Sequence, residues 1–366
     1  PGDLRCCLIV AFMMSFLGSV LALSSTIHAP TDGSEASTAI QEAVLAAKPG
    51  STLILPAGRY HCEWTINITS VTSVLILGEA GAETYQLYPG PLVRGSSHRA
   101  MFALSNCTDV TVSGIVTTGP NTASTEPGHK GYGVYNATLY AEHAFSILYS
   151  SRISILHCNV RAPHGDGVYV GGRSTDIAIV NVTVYLNGRQ GMSVCDASNV
   201  TILDSNISRS GRSGIDLEPD GAGWVVQNVT ISNTILDCHL LAFPSIGAGL
   251  VSDIVIENNV ISHCASPWLE MRGSVERRRS NWKVTGNTVN FKTGAVSFGF
   301  VSGVVFRENL MSVVHKRGRL WVSVHFDNVD GAEVIDNFLE GSCDPPYSEV
   351  NSTHIIAYGN NGTIPC

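Results

Sequence analysis

From Ile153 onward the chain repeats one phrase: an apolar residue, any residue, a second apolar residue, and a further apolar residue seven positions after the first. The phrase starts at Ile153, Ile177, Val200, Val229, Ile254, Trp282, Val304 and Ala332, with intervals of 24, 23, 29, 25, 28, 22 and 28 residues. Alternation of this kind places one side of a short strand in a core, and a repeat near this length makes each unit one coil of a solenoid. Five residues into the later units stand Asn259, Asn287, Asn309 and Asn337. Asparagines stacked at one phase can join their amides to neighbouring backbone as a ladder. Val, Ile and Thr dominate the runs and Gly, Asn, Asp and Ser separate them, which excludes a leucine-rich solenoid. A β-sandwich would not return the same turn at the same phase. The pattern predicts an all-β, right-handed parallel β-helix.

Upstream, Ala39, Ile40, Ala43, Val44 and Ala47 fall at helical spacing within Ala36 to Lys48, and Pro49-Gly50 ends the run. Ser51 to Tyr60 then reads as a strand and turn containing Pro56-Ala57-Gly58-Arg59-Tyr60. This opening resembles that of the pectate lyase superfamily, which implies a helix capping the open end of the coils, where core and strand edge would otherwise face water. Less regular coils are expected between 60 and 150, with Asp109-Val110-Thr111-Val112 as one recognisable start. The expected divisions are a leader over 1–22, capping helix and first strand over 23–60, coils over 61–342, and a C-terminal cap or tail over 343–366.

Chemistry gathers between His164 and Asp220. Gly165-Asp166-Gly167-Val168-Tyr169-Val170, Arg189-Gln190-Gly191-Met192-Ser193-Val194 and Arg212-Ser213-Gly214-Ile215-Asp216-Leu217-Glu218 are three passes of one pattern. Stacked in register they form an outward column Tyr169, Ser193, Asp216 and a turn column Asp166, Gln190, Ser213, with Glu218 and Asp220 continuing the outward phase. Glu270 takes that phase in a later coil, followed by Arg272. A shallow elongated face carrying a phenol, hydroxyls, carboxylates and arginines suits a polysaccharide. For a uronate polymer, Arg189 and Arg212 would hold substrate carboxylates bidentately, with Gln190, Asp220, Glu270 and Arg272 as further binding groups. His164, Asp166, Tyr169, Asp216 and Glu218 are the candidate catalytic groups. Three carboxylates at alternate positions, Asp216, Glu218 and Asp220, repel one another. A Ca²⁺ ion or a substrate would offset that repulsion, although the chemistry expected here requires no cofactor and no dedicated metal site is assigned.

Gly165-Asp166-Gly167-Val168 is similar to the Asp-Gly strand start of polygalacturonases, while the adjacent aspartate pair, Gly-His-Gly and Arg-Ile-Lys motifs of that family are absent. Pro163-His164 resembles part of the Asp-Pro-His motif of mannuronan C5-epimerases, with Ala162 in place of the aspartate. That resemblance implies proton transfer by His164 and Tyr169 with Asp166 in support. The expected function is β-elimination or C5-epimerisation of an acidic polysaccharide. The alternatives are glycoside hydrolysis by Asp166 with Asp216 or Glu218, and a noncatalytic glycan-binding surface protein.

The net charge of -8 argues against nucleic acid as the general partner. Two basic segments, Arg272 with Arg277-Arg278-Arg279 and Lys316-Arg317 with Arg319, could still draw in an anionic polymer. Arg5 followed by the apolar run Leu8 to Leu17, with Val20 and Ala22 suited to cleavage, has the form of a secretory leader. Its retention as an anchor is the one expected route to a membrane. A secreted location accords with eight cysteines beyond the leader and with Asn-x-Ser/Thr sequons at Asn67, Asn106, Asn136, Asn181, Asn199, Asn206, Asn228, Asn351 and Asn361. There is no CxxC, so a zinc site is not expected.

Overall fold

The computed structural model describes residues 24–30, 32–86, 99–263, 267–291, 296–313, 324–340, 343–345, 347–362 and 364–365. The expected leader, the basic segment Lys316 to Arg319, and Cys264 and Cys366 lie outside these residues. Strands make up 57% of the described residues, and they wind into a right-handed parallel β-helix of about 11 turns. One face is a 13-stranded sheet, the second has 11 strands, and the third is divided into runs of six and five.

All eight repeat starts stack in one register column, from Ile153 opposite Ile177 to Val304 opposite Ala332. Val110 continues the column backwards, opposite Ile153, so the Asp109 phrase is a coil of the same series. The residue before each start supplies the bend into the strand. Asp109, Arg152, Asp176, Asn199, Asn228, Asp253 and Asn281 all have φ between 52° and 59°, and Gly303 and Gly331 follow in the same place. That left-handed conformation is tolerated by Asn, Asp and Gly, which explains their recurrence there.

The asparagine ladder forms as expected. Asn259, Asn287, Asn309 and Asn337 are almost fully buried. The Oδ1 atoms of Asn287, Asn309 and Asn337 each accept the backbone N–H and the side-chain amide of the preceding asparagine at 2.9–3.0 Å, Asn259 Oδ1 accepts Thr234 N–H at 2.9 Å, and Asn360 extends the ladder by one step. Upstream, the helix Ser37–Ala46 sets Ile40 and Val44 into the core.

The third face breaks after Ile215–Leu217. Ile215 N–H donates to Ala242 O at 2.8 Å, but the next ladder bond would have to come from residue 244, a proline without an N–H. Ser245 Oγ–H bonds Leu217 O at 3.1 Å in its place. This break lies beside the carboxylate-bearing coil.

Candidate functional site

Tyr169 pairs in register with Ser193, and Ser193 with Asp216, so the first column stands as expected. It also reaches back one coil, with Ser146 opposite Tyr169. The turn column is built by hydrogen bonds. Gln190 N–H donates to Asp166 Oδ1 at 3.0 Å, and Ser213 N–H donates to Gln190 Oε1 at 3.0 Å. Gln190 Nε2 then donates to Asp216 Oδ2 at 2.6 Å, joining the two columns.

The expected open face is instead largely covered. Asp166 and Ser193 are fully buried, and Tyr169, Gln190, Ser213 and Asp216 nearly so. Segment 119–141 folds across these coils. Gly133 N–H bonds Arg209 O at 2.9 Å, and Tyr132 O–H bonds Asp237 Oδ1 at 3.1 Å. The Arg212 guanidinium lies 5.1 Å from the Tyr135 ring centre, and that of Arg189 lies 6.0 Å from Tyr140. Sequence periodicity carried no sign of this strap, because it interrupts the repeat rather than belonging to it.

A cleft of about 760 Å³ remains beside the strap, bordered by Tyr140, His143, Tyr169, Arg189, Asp220 and Trp224 among others. This is a volume suited to a few sugar units. Arg189 is its electrostatic centre, with one nitrogen 2.9 Å from Asp166 Oδ2 and another 2.8 Å from Glu218 Oε2. The expected role of Arg189 as a free clamp for substrate carboxylate is therefore corrected: two protein carboxylates already occupy its fork. Ser193 Oγ–H also donates to Asp166, at 2.9 Å, so the Asp166 carboxylate ties its own coil to the next rather than merely shaping a turn.

Burial pushes the Asp166 carboxyl up, and Arg189 opposes this. Asp216 is raised well above the ordinary 3.8 by burial and then by repulsion from Glu218. Glu218 is raised by burial and by Asp220, with Arg189 pulling it back. Asp220, exposed at the cleft, is raised by burial of part of its carboxyl. Tyr169 is pushed far above its ordinary value, first by burial and then by Cys195, so its hydroxyl stays protonated.

His164 is not where the expectation put it. It borders a separate cavity of about 10 Å³ rather than the cleft, and its Nδ1 is buried without a hydrogen-bond partner among the described residues. His143, which sequence reasoning missed, borders both spaces and stacks on Tyr169 with ring centres 4.9 Å apart. Asp166 N–H donates to His143 Nδ1 at 3.0 Å, which fixes the neutral ring with its proton on Nε2. The alternation of Phe145 and Ile147 around Ser146 was the available signal for this coil.

Glu270 and Arg272 also fall outside the cleft. They form an ion pair with each other on the five-stranded run, beyond the break at Pro244. Of the basic segment, Arg279 turns into the core and Arg278 binds Asn328 O at 3.1 Å, so neither offers its charge freely to a polymer. Cys62, Cys107, Cys158 and Cys195 are buried free thiols. Among the described residues, no group of three or more His, Cys, Asp or Glu is placed to hold a metal ion. At Glu218 the neighbouring cation is Arg189. No helix among the described residues is long and apolar enough to cross a membrane.

Residues 143–311 match the family described as right handed beta helix region. Among solved structures, the surface protein and adhesin PfbA of Streptococcus pneumoniae is similar at TM-score 0.68 and 15% identity, over 93% of this chain and 97% of that one. The Family 28 exopolygalacturonase of Yersinia enterocolitica gives 0.61 and 13%, over 94% and 78%. The A-module of mannuronan C-5 epimerase AlgE4 from Azotobacter vinelandii gives 0.59 and 14%, over 92% and 94%. No curated protein matches. The chain is a right-handed parallel β-helix. At these identities the likeness to the three structures is one of fold.

Proposed function

We propose that this protein is a carbohydrate-active enzyme that cleaves glycosidic bonds of a polysaccharide held in the cleft, using the carboxylates of the Asp216 coil as acid and base. The observation that carries this reading is an imbalance of charge. Asp166, Asp216, Glu218 and Asp220 all feel Arg189, while Arg212 adds its charge at Glu218. Four carboxylates thus share Arg189 and Arg212, with Arg279 reaching Asp216 from the core side, and like charges at about 4 Å repel by ~4 kcal/mol in a partly screened site. The cluster therefore keeps a proton at neutral pH, as acid catalysis of glycoside hydrolysis requires. Glu218, whose side chain is 25% exposed, passes that proton to the departing glycosidic oxygen. Asp220, at the cleft, takes a proton from water, whose hydroxyl adds to the anomeric carbon. Trp224 and Tyr140 offer apolar faces for the sugar rings.

A second reading, β-elimination or C5-epimerisation of a uronate polymer, is favoured by Arg173 at the cleft. The Tyr169 hydroxyl and His143 Nε2–H both carry protons, so Asp220 would have to serve as its base. A secreted location belongs to the same proposal, supported by the leader-like N-terminal run and by the exposure of all nine sequon asparagines.

Incubation with neutral glucans, galactans, pectate and alginate separates these readings. New reducing ends without ultraviolet-absorbing unsaturation are expected. Unsaturated products would establish a lyase, an altered epimer ratio without cleavage an epimerase, and binding without any product a glycan-binding protein.

A further inference from the structure

The hydrogen bonds around Gln190 locate the proton that the carboxylate cluster keeps. Gln190 lies between two coils with both ends of its amide committed. Its Oε1 accepts the Ser213 backbone N–H at 3.0 Å, so the other end, facing Asp216 Oδ2 at 2.6 Å, is the NH₂. The reverse orientation would set two donors against each other at Ser213. Asp216 Oδ2 is therefore an acceptor. Asp216 Oδ1 is buried and accepts no hydrogen bond among the described residues. A buried anionic oxygen without a donor is costly, whereas a protonated Oδ1 becomes a donor with the neighbouring Glu218 carboxylate as its acceptor.

We propose that Asp216 rests as a neutral carboxylic acid with its proton on Oδ1, and that Gln190 is the positioning residue that fixes it there. The surroundings agree. On its own strand and the turn beyond it, Glu218 and Asp220 are negative. From the preceding coils, Asp166 and the Cys195 thiol face it, with Arg189 as the cation. Arg189, however, spends its two contacts on Asp166 and Glu218 rather than on Asp216. From the core side, Arg279 feels the Asp216 charge but makes no ion pair with it. Glu218, held at 2.8 Å by Arg189, is then the ionised member of the pair, poised to receive the Asp216 proton when substrate displaces water from the cleft.

This inference rests on the acid–base reading of the cluster, but it is tested without substrate. Infrared spectra of the full chain carrying ¹³C-labelled aspartate distinguish a carboxylic acid carbonyl from a carboxylate. At neutral pH the wild type is expected to show one isotope-shifted acid carbonyl that Asp216→Asn removes. In Gln190→Glu the side chain can no longer donate to Oδ2, and that carbonyl is expected to move in frequency. Absence of the acid carbonyl in the wild type, or its persistence in Asp216→Asn, would overturn the proposal. Should Asp216→Asn not fold, wild-type titration decides: retention of the acid carbonyl above about pH 5, beyond the range of an ordinary aspartate, supports the proposal and its loss below that pH refutes it. An acid carbonyl in a protein inactive on every glycan would sink the hydrolase reading and leave this one standing.

Discussion

Arg189 and Arg279 are both removed from water, and their partners dictate opposite responses to the same substitution. Arg189 neutralises Asp166 and Glu218 at hydrogen-bond distance. Replacing it with Met leaves Asp166 fully buried and without its cation, so Arg189→Met is expected to lower unfolding stability by about 3 kcal/mol in urea titrations. Arg279 occupies an interior position in line with Val251 and Val301. Its Nε and Nη1 have no hydrogen-bond partner among the described residues, Nη2 donates to Gly247 O at 3.4 Å, and burial pushes its pKa down to about 10. Arg279→Met restores the apolar column and is expected to leave stability unchanged or raise it by about 1–3 kcal/mol. A loss of stability would show that the guanidinium has a partner in solution. Asp216 supplies the pH dependence. Its carboxyl holds a proton in the folded state that the unfolded chain releases near 3.8. The associated stability is present at acid pH and is lost as pH climbs through the raised folded value. The wild-type midpoint of thermal unfolding should therefore fall over that interval, and Asp216→Asn should flatten the fall. Behind Arg189 of the cleft, Glu218→Gln keeps the shape and removes the titrating group. The expected result is a loss of activity of about 100-fold or more with the unfolding midpoint little changed.

Among the elements, the asparagine ladder and the strap differ in how visible they were. The ladder was legible because a repeat puts the same residue type at the same phase, and each buried amide there answers to backbone groups of adjoining coils. Asn309→Ala would strand the Asn287 N–H and the Val284 carbonyl, bonded at 3.0 Å each, inside the solenoid. At about 1–3 kcal/mol per stranded group, a loss near 3 kcal/mol is expected in urea unfolding, and a smaller one for Asn360→Ala at the part-buried end. The strap 119–141 had no period to betray it, and its docking depends on pairs remote in sequence, such as Tyr132 with Asp237 and the stacked rings of His129 and His239, 4.0 Å apart. Its tightest approach is at Gly133, where an added Cβ would run into the Asn187 carbonyl. Gly133→Ala should lift the strap from the coils, raising KM for a polymeric substrate more than it lowers the unfolding midpoint. Likewise, the choice of His164 over His143 followed from a motif, while the structure's criterion is which coil borders the cleft.

For the whole molecule, the fold was legible because a solenoid is quasi-one-dimensional: each coil restates the same pattern of burial, and register follows from it. The site was legible only as an excess of charge upon that pattern, since what covers it and which charges pair are decided by contacts between coils and strap. Net charge acts at a longer range than either. At -8 the protein repels a polyanion, and the carboxylates of the Asp216 coil outnumber the arginines beside them. The screening length falls from about 30 Å at 0.01 M salt to about 10 Å at 0.1 M, so added salt weakens this repulsion before it weakens short, part-buried ion pairs such as Arg189 with Glu218. Turnover of a uronate polymer is therefore expected to rise by about three-fold or more in kcat/KM between those salt concentrations, while turnover of a neutral glycan of similar length stays level. Initial rates on pectate and on a neutral galactan at the two ionic strengths make the comparison. A fall with salt on pectate would mean that Arg173 and Arg189 set the local field at the cleft, and would favour the uronate-specific reading over hydrolysis of a neutral chain.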